Sequence, residues 1–201
     1  MRVLITGFGP FPGAPSNPSA ALAKALARRR RPALADIERI VHMFATTYAS
    51  VDRDLPKLFA QKPDVVLMFG VAGRRRQLCI ETRARNAVSL LFPDASGHRP
   101  LRGVIKLGGP ATLTGNAPFA RLAGAAGTRL SRDAGSYLCN YVYWRALEQV
   151  RGTRPQVQFV HIPPVGTKPR PRRRPKRPPT LAQLLKPAEA VLIALIAASR
   201  R

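Results

Sequence analysis

DVVLMF, Asp64 to Phe69, carries five consecutive apolar residues after its aspartate, the pattern of a strand buried on both faces of a parallel sheet. Working outward from it, the flanking segments alternate between strand and helix. Arg2 to Thr6 is a short apolar run that enters the Gly/Pro turn GFGPFPG, after which Asn17 and Pro18 stand where a helix takes its N-cap and first residue. The helix predicted from Pro18 to about Arg29 is Ala-rich, has Leu22 and Leu26 one turn apart as a narrow apolar stripe, and ends in Arg28 to Arg31 before Pro32. Ile37 to Phe44 reads as a strand, and Val51 to Ala60 as a helix interrupted near Pro56.

On the other side, Gln77 to Thr82 reads as a strand, while Asn86 to Pro118 is rich in Gly and Pro and predicts hairpins or long loops. A short helix around Pro118 to Ala125, a strand at Thr128 to Ser131, a helix from about Cys139 to Val150 and a strand at Val157 to His161 follow. Thr180 and Gln183 form a capping-box pattern for a C-terminal helix. Strands alternating with helices predict an α/β protein: one domain over residues 1–201, an α/β/α sandwich with a mainly parallel central sheet. Strand order is not readable from this pattern.

Composition narrows the functional classes. The chain carries 34 Lys and Arg against 10 Asp and Glu, a formal charge of +24, and such an excess points to an anionic partner. Seven of these positive charges fall within Lys168 to Arg177, so the excess is general and not confined to that run. No nucleic-acid-binding motif or regular aromatic spacing accompanies it, which leaves nucleic acid as a partner through non-specific charge alone. Cys79 and Cys139 are too few for a disulfide framework, and the apolar start MRVLITGFGPF is too short for a signal peptide; a reducing cytoplasm is the expected compartment. Ala188 to Ala198 contains Glu189 and falls short of the roughly 20 apolar residues a bilayer span needs, so a buried helix and no membrane are expected.

Nucleophilic chemistry is sought among the scarce residue types, two Cys and three His. Cys139 lies in DAGSYLCNYVYWRAL, where a turn precedes a helical pattern, so its thiol is expected near a helix N-terminus, where free N–H groups favour a thiolate and an oxyanion. An inert core cysteine is the alternative on position alone. His161 ends the apolar run VQFV, at the carboxyl end of a predicted strand where open α/β sheets bind ligands; a structural histidine is its alternative. Glu81 ends the strand Leu78-Cys79-Ile80-Glu81 and suits an imidazole, with an ion pair to Arg83 or Arg85 as the simpler reading. Cys79 shares a strand face with Glu81 and reads as packing, while His42 and His98 have weaker claims. The glycines of GFGPFPG miss dinucleotide spacing and its prolines remove donors, so no nucleotide cofactor is expected. Nor is a metal, since no Cys and His pair stands at ligand spacing.

In order and wording, TGFGPF, FGVAG, a Glu ending the next strand, DAGSYLCN and FVHIPP resemble the pyroglutamyl peptidase I family of cysteine peptidases over Val3 to Pro164. The resemblance implies Cys139 as nucleophile, His161 as base and Glu81 completing the triad. It implies a Phe-lined slot for the lactam ring of an N-terminal pyroglutamyl residue, with Phe8 and Phe11 as walls and Tyr137 and Leu138 just before the nucleophile. It further implies peptides beginning with pyroglutamate as substrates, hydrolysis through a Cys139 thioester, and a homo-oligomer. The chain departs from many bacterial relatives in Thr82, where they have Arg, in the apolar stretch NAVSLLFPDA, and in the basic run Lys168 to Arg177, expected to be a solvated loop. A catalytically idle relative that binds peptides, and a basic nucleic-acid-associated protein, are the two rival readings.

Overall fold

A computed structural model of the protein describes residues 1–11, 16–166 and 178–200; the basic run Lys168 to Arg177 lies outside them. Strands β1 (Arg2–Phe8), β2 (Glu38–Phe44), β3 (Val65–Val71), β4 (Cys79–Glu81), β7 (Arg129–Ser131) and β8 (Gln156–Ile162) form one sheet in the order β2-β1-β3-β8-β4-β7. Four of its five pairings are parallel, and only β4 runs against β8. Strands β5 (Arg83–Arg85) and β6 (Thr112–Thr114) make a separate antiparallel pair, and β6 lies within the stretch Asn86 to Pro118 expected to be hairpins and loops.

The helices divide between the two faces by the period-two alternation of the strands. Val3, Ile5, Val65, Leu67, Phe69, Val160 and Ile162 point to one face, where they meet α1 (Pro18–Ala27), α3 (Phe119–Ala126) and α5 (Leu181–Ser199). Leu4, Val66, Met68, Val157 and Phe159 point to the other, under α2 (Tyr48–Phe59) and α4 (Leu138–Gln149). The α/β/α sandwich with a mainly parallel sheet is therefore present.

Local signals fix the helix starts. Asn17 Oδ1 accepts from the Ser19 N–H with Pro18 at the first helical position, and Thr180 and Gln183 satisfy both halves of the capping box at α5. Two expectations change. Helix α2 begins at Tyr48, capped by Thr47, and runs through Pro56 without ending, because Tyr48, Val51, Leu55 and Leu58 are buried along one face; that burial outweighs the roughly 3 kcal/mol a helical proline costs. Helix α5 has 19 residues, long and apolar enough to cross a membrane by length and composition. Here it packs Leu184, Ala188, Val191, Leu192, Leu195 and Ile196 into the sheet-facing core.

Helix α1 approaches β1 closely because Gly7 has no side chain: a Cβ there meets the Ser19 carbonyl oxygen at 2.7 Å and its carbon at 2.9 Å. Backbone on both sides leaves nothing to yield. Gly7→Ala is expected to cost about 1–3 kcal/mol in urea denaturation, whereas Gly124→Ala, inside α3 with open space around it, should be neutral or slightly stabilising. Equal stability of the two variants would mean that α1 adjusts freely over the sheet.

Candidate active site

The site is assembled across three neighbouring strands, β3, β8 and β4. His161 pairs with Gly70 of β3 on one side and with Cys79 of β4 on the other. Because β4 is antiparallel to β8, Glu81 stands opposite Phe159 and diagonal to His161, on the same sheet face, a distance long side chains span. Glu81 Oε1 and His161 Nδ1 are 2.8 Å apart, with Glu81 wholly buried and His161 nearly so. The backbone carbonyl of Glu81 accepts from Tyr143 Oη at 3.0 Å and Gln158 Nε2 at 2.9 Å, which fixes the strand end that carries the carboxylate.

Cys139 is the second residue of α4, which has no side-chain N-cap and no acidic residue in its first turn. Its thiol and the His161 ring face one cavity, and the sulfur reaches the sheet through a gap left by Gly70, where a Cβ would lie 2.6 Å from Cys139 Sγ and 2.7 Å from Phe159 Cζ. Nothing larger than glycine leaves room for the sulfur there. The turn before the helix is held by Asp133, whose Oδ1 accepts from the Gly135 N–H at 3.0 Å and from Arg85 Nη2 at 3.1 Å, and by Gly135 at φ +83°. Asn140 braces the next segment, accepting from the Arg85 N–H and donating to the carbonyls of Arg85 and Ala87, each at 2.8 Å.

Burial by itself pushes the His161 imidazole down, but its hydrogen bonds with Cys139 and Glu81 outweigh this and lift it to about 9. The ring is thus protonated at neutral pH and forms an ion pair with Glu81. Cys79 behaves otherwise: it is buried, burial pushes its thiol up, and its sulfur contacts only the Gln77 carbonyl, at 3.6 Å. The packing reading of Cys79 fits this placement.

A cavity of about 560 Å³ opens over Cys139 and His161, walled by Val71 to Arg75 and by Asp133 to Tyr137. Of the four residues expected to form the lactam slot, Tyr137 lines this cavity, with its hydroxyl donating to the Pro93 carbonyl at 2.9 Å. Phe8 and Leu138 are buried in the adjoining apolar cluster, Phe8 against Phe44, so Leu138 faces the core and its side chain is no cavity wall. Phe11 is about one-third exposed.

Sequence reading missed Arg75. The partner of Glu81 was sought at Arg83 or Arg85, but those donate to the Arg132 carbonyl and to Asp133. It is Arg75 whose Nη2 lies 3.6 Å from Glu81 Oε1, while donating to Ser131 Oγ at 2.7 Å. Only its position in the tract Arg74-Arg75-Arg76 marked it, and there it looked like one more surface charge. Gly70 was within reach, inside FGVAG, but its task depends on the β3–β8 register.

A family model described as pyroglutamyl peptidase matches residues 1–201. The pyrrolidone-carboxylate peptidase of Bacillus subtilis (strain 168) is 31% identical over 170 residues, covering 81% of this chain and 78% of that one. Its counterpart in Clavibacter michiganensis is 35% identical over 170 residues, with 80% and 78% covered. Among solved structures, pyroglutamyl peptidase I of Bacillus amyloliquefaciens superposes with a TM-score of 0.84 at 24% identity over 98% of both chains, which speaks for the fold.

The raised His161 value sets a sign for pH. The folded ring holds its proton above the ordinary 6.5, so its contribution to stability is complete below about 6.5 and is lost as pH rises through about 9. In a nitrogen NMR titration the His161 ring is expected to stay protonated at pH 7 and to titrate near 9. A midpoint at or below 6.5 would remove the ion pair.

Proposed function

The chain belongs to the pyroglutamyl peptidase family, and from that premise we propose that it hydrolyses the amide bond following an N-terminal pyroglutamyl residue, with Cys139, His161 and Glu81 in the catalytic roles. The observation that carries this assignment is the order of contacts: the Cys139 thiol on one side of a buried His161 ring and the Glu81 carboxylate 2.8 Å away on the other. In this reading Glu81 fixes the tautomer, so that the proton exchanged during the reaction sits on the Cys139 side of the ring.

His161 already holds the proton given up by the Cys139 thiol before substrate reacts, and the thiolate adds to the pyroglutamyl carbonyl carbon. The first-turn N–H groups of α4, free of intrahelical partners, are aimed where the oxyanion forms. Imidazolium returns the proton to the departing amine as the C–N bond breaks, leaving a thioester. Water then attacks with His161 as base, releasing free pyroglutamate and the thiol. Tyr137 offers an aromatic wall to the lactam ring, and Phe11, exposed beyond the carboxyl end of β1, offers a second; Phe8 supports the slot from the core beneath.

Residues 1–201 act as one catalytic domain in this reading, as the span of the family match supports. Both cysteines are free thiols, consistent with a reducing, cytoplasmic setting. Exposed Leu91, Phe92, Leu101 and Leu107 supply apolar surface that supports self-association into a homo-oligomer.

Three measurements test the assignment. Cys139→Ala and His161→Ala are expected to lower kcat for a pyroglutamyl reporter amide by about 10³-fold or more, Glu81→Gln by less, and Cys79→Ser hardly at all. Equal loss from Cys79→Ser and Cys139→Ala in folded protein would point to the wrong thiol. On the alkaline side, kcat/KM should fall as pH passes about 9, where the imidazolium that protonates the leaving amine is lost. Finally, matched prolyl, glutaminyl and glutamyl amides bring a charged ammonium, and the one carboxylate on the cavity wall, Asp133, is already paired with Arg85, so discrimination against them should reach about 10⁴-fold. Comparable rates for prolyl and pyroglutamyl amides would sink the lactam slot.

A further inference from the structure

Among the described residues, the most concentrated charge outside this site lies at the opposite edge of the sheet. Helix α1 ends at Ala27, and the chain continues Arg28-Arg29-Arg30-Arg31-Pro32. Two ties lock this segment. Arg39, at the start of β2, donates from Nη1 to the carbonyls of Ala27 and Arg29 and from Nη2 to that of Leu34, each at 2.7 Å, which covers acceptors the helix end leaves open. Glu189 of α5, buried, accepts forked pairs from Arg29 (3.0 and 3.1 Å) and Arg31 (2.9 and 3.3 Å). Those hydrogen bonds hold its carboxyl down at about 2, so the anchor stays charged at any physiological pH.

What the ties leave over is Arg28 and Arg30. Neither has a carboxylate or hydrogen-bond partner among the described residues, and both open into a cavity of about 920 Å³ shared with Arg31 and Arg39 and floored by Ala27 and Ala35. No acidic residue lines it. All ten acidic side chains are engaged in ion pairs or hydrogen bonds, nine of them with partners outside the cavity lining and Glu189 with Arg29 and Arg31. Solvated arginines on a convex face would need no explanation in so basic a chain. Here two unspent guanidinium forks, those of Arg28 and Arg30, share a concavity with Arg39, whose charge adds to theirs; fields focus there, and the free forks match phosphate oxygens in pairs.

We propose that this cavity binds compact oligophosphate groups, meaning anions that place several phosphates side by side. A single carboxylate neutralises too little of the cluster, whereas consecutive phosphates bring several charges and many acceptors within the reach of Arg28, Arg30, Arg31 and Arg39. The site is separate from the peptidase centre. Arg39 pairs with Val3 at the amino end of the sheet, whereas Phe8 ends β1 at the carboxyl edge where His161 stands; at about 3.3 Å per residue the two lie roughly 17 Å apart along the strands. The inference therefore stands whether or not the peptidase reading does.

Calorimetric titration of the full chain with inorganic triphosphate at physiological salt tests it. Saturable binding at one site is expected, weakened at least about tenfold in Arg28→Gln/Arg30→Gln, with unchanged circular dichroism and unchanged turnover of a pyroglutamyl amide. The control is Arg99→Gln/Arg102→Gln, two exposed arginines elsewhere that remove the same charge and should leave affinity within about twofold. A short single-stranded RNA separates sources of the same chemistry: competition for the site, lost in the Arg28/Arg30 variant, assigns backbone phosphates, and failure to compete assigns free oligophosphates. Absence of saturable triphosphate binding, or equal weakening by both double variants, overturns the proposal.

Discussion

The register of strand β8 between β3 and β4 is the constraint on which the rest of this protein depends. One residue of β8, His161, meets Gly70 on its parallel side and the antiparallel strand that ends in Glu81 on the other. A slip of one residue on either side turns its partners to the opposite face. The glycine leaves the space into which Cys139 descends from α4, and the reversed direction of β4 brings a carboxylate diagonal to the ring. Sheet register and the placement of α4 bring three chemically ordinary side chains together.

The same strands also explain the charge economy of the site. With 34 cationic and 10 acidic residues, carboxylates are the scarce resource, and the fold places each against a definite partner. Glu81 holds an imidazolium and lies near Arg75; Glu189 fastens the arginine segment after α1; Asp133 orders the turn ahead of Cys139; Asp94 accepts from the backbone of Tyr48, Ser96 and His98. Among the described residues, most arginines are left without an anion. A strongly cationic surface can therefore coexist with a buried, charge-balanced centre, so the +24 charge and the peptidase chemistry are separate properties of one chain rather than competing readings of it.

Much of the scaffold was legible because its signals are local. The run Val65 to Phe69, the Asn17-Pro18 cap and the Thr180/Gln183 box each depend on a few neighbouring residues, and each is present as read. Expectation failed where tertiary burial outweighed local cost, as at Pro56, which α2 passes through. The stretch from Asn86 to Pro118 stayed opaque because its one strand, Thr112–Thr114, exists only by pairing with Arg83–Arg85.

By itself the sequence determined the α/β alternation, the scarcity of thiols and imidazoles that singled out Cys139 and His161, and the motifs that resemble one peptidase family, because all of these are written in residue type and short-range order. Only the tertiary structure decided that Glu81 rather than an arginine-paired surface carboxylate faces His161, that Arg75 and not Arg83 or Arg85 stands beside it, and that Leu138 turns to the core while Tyr137 turns to the cavity. The physical reason is that these relations depend on strand direction and register between residues as far as 80 apart in the chain, and no local preference of either partner encodes the other's position.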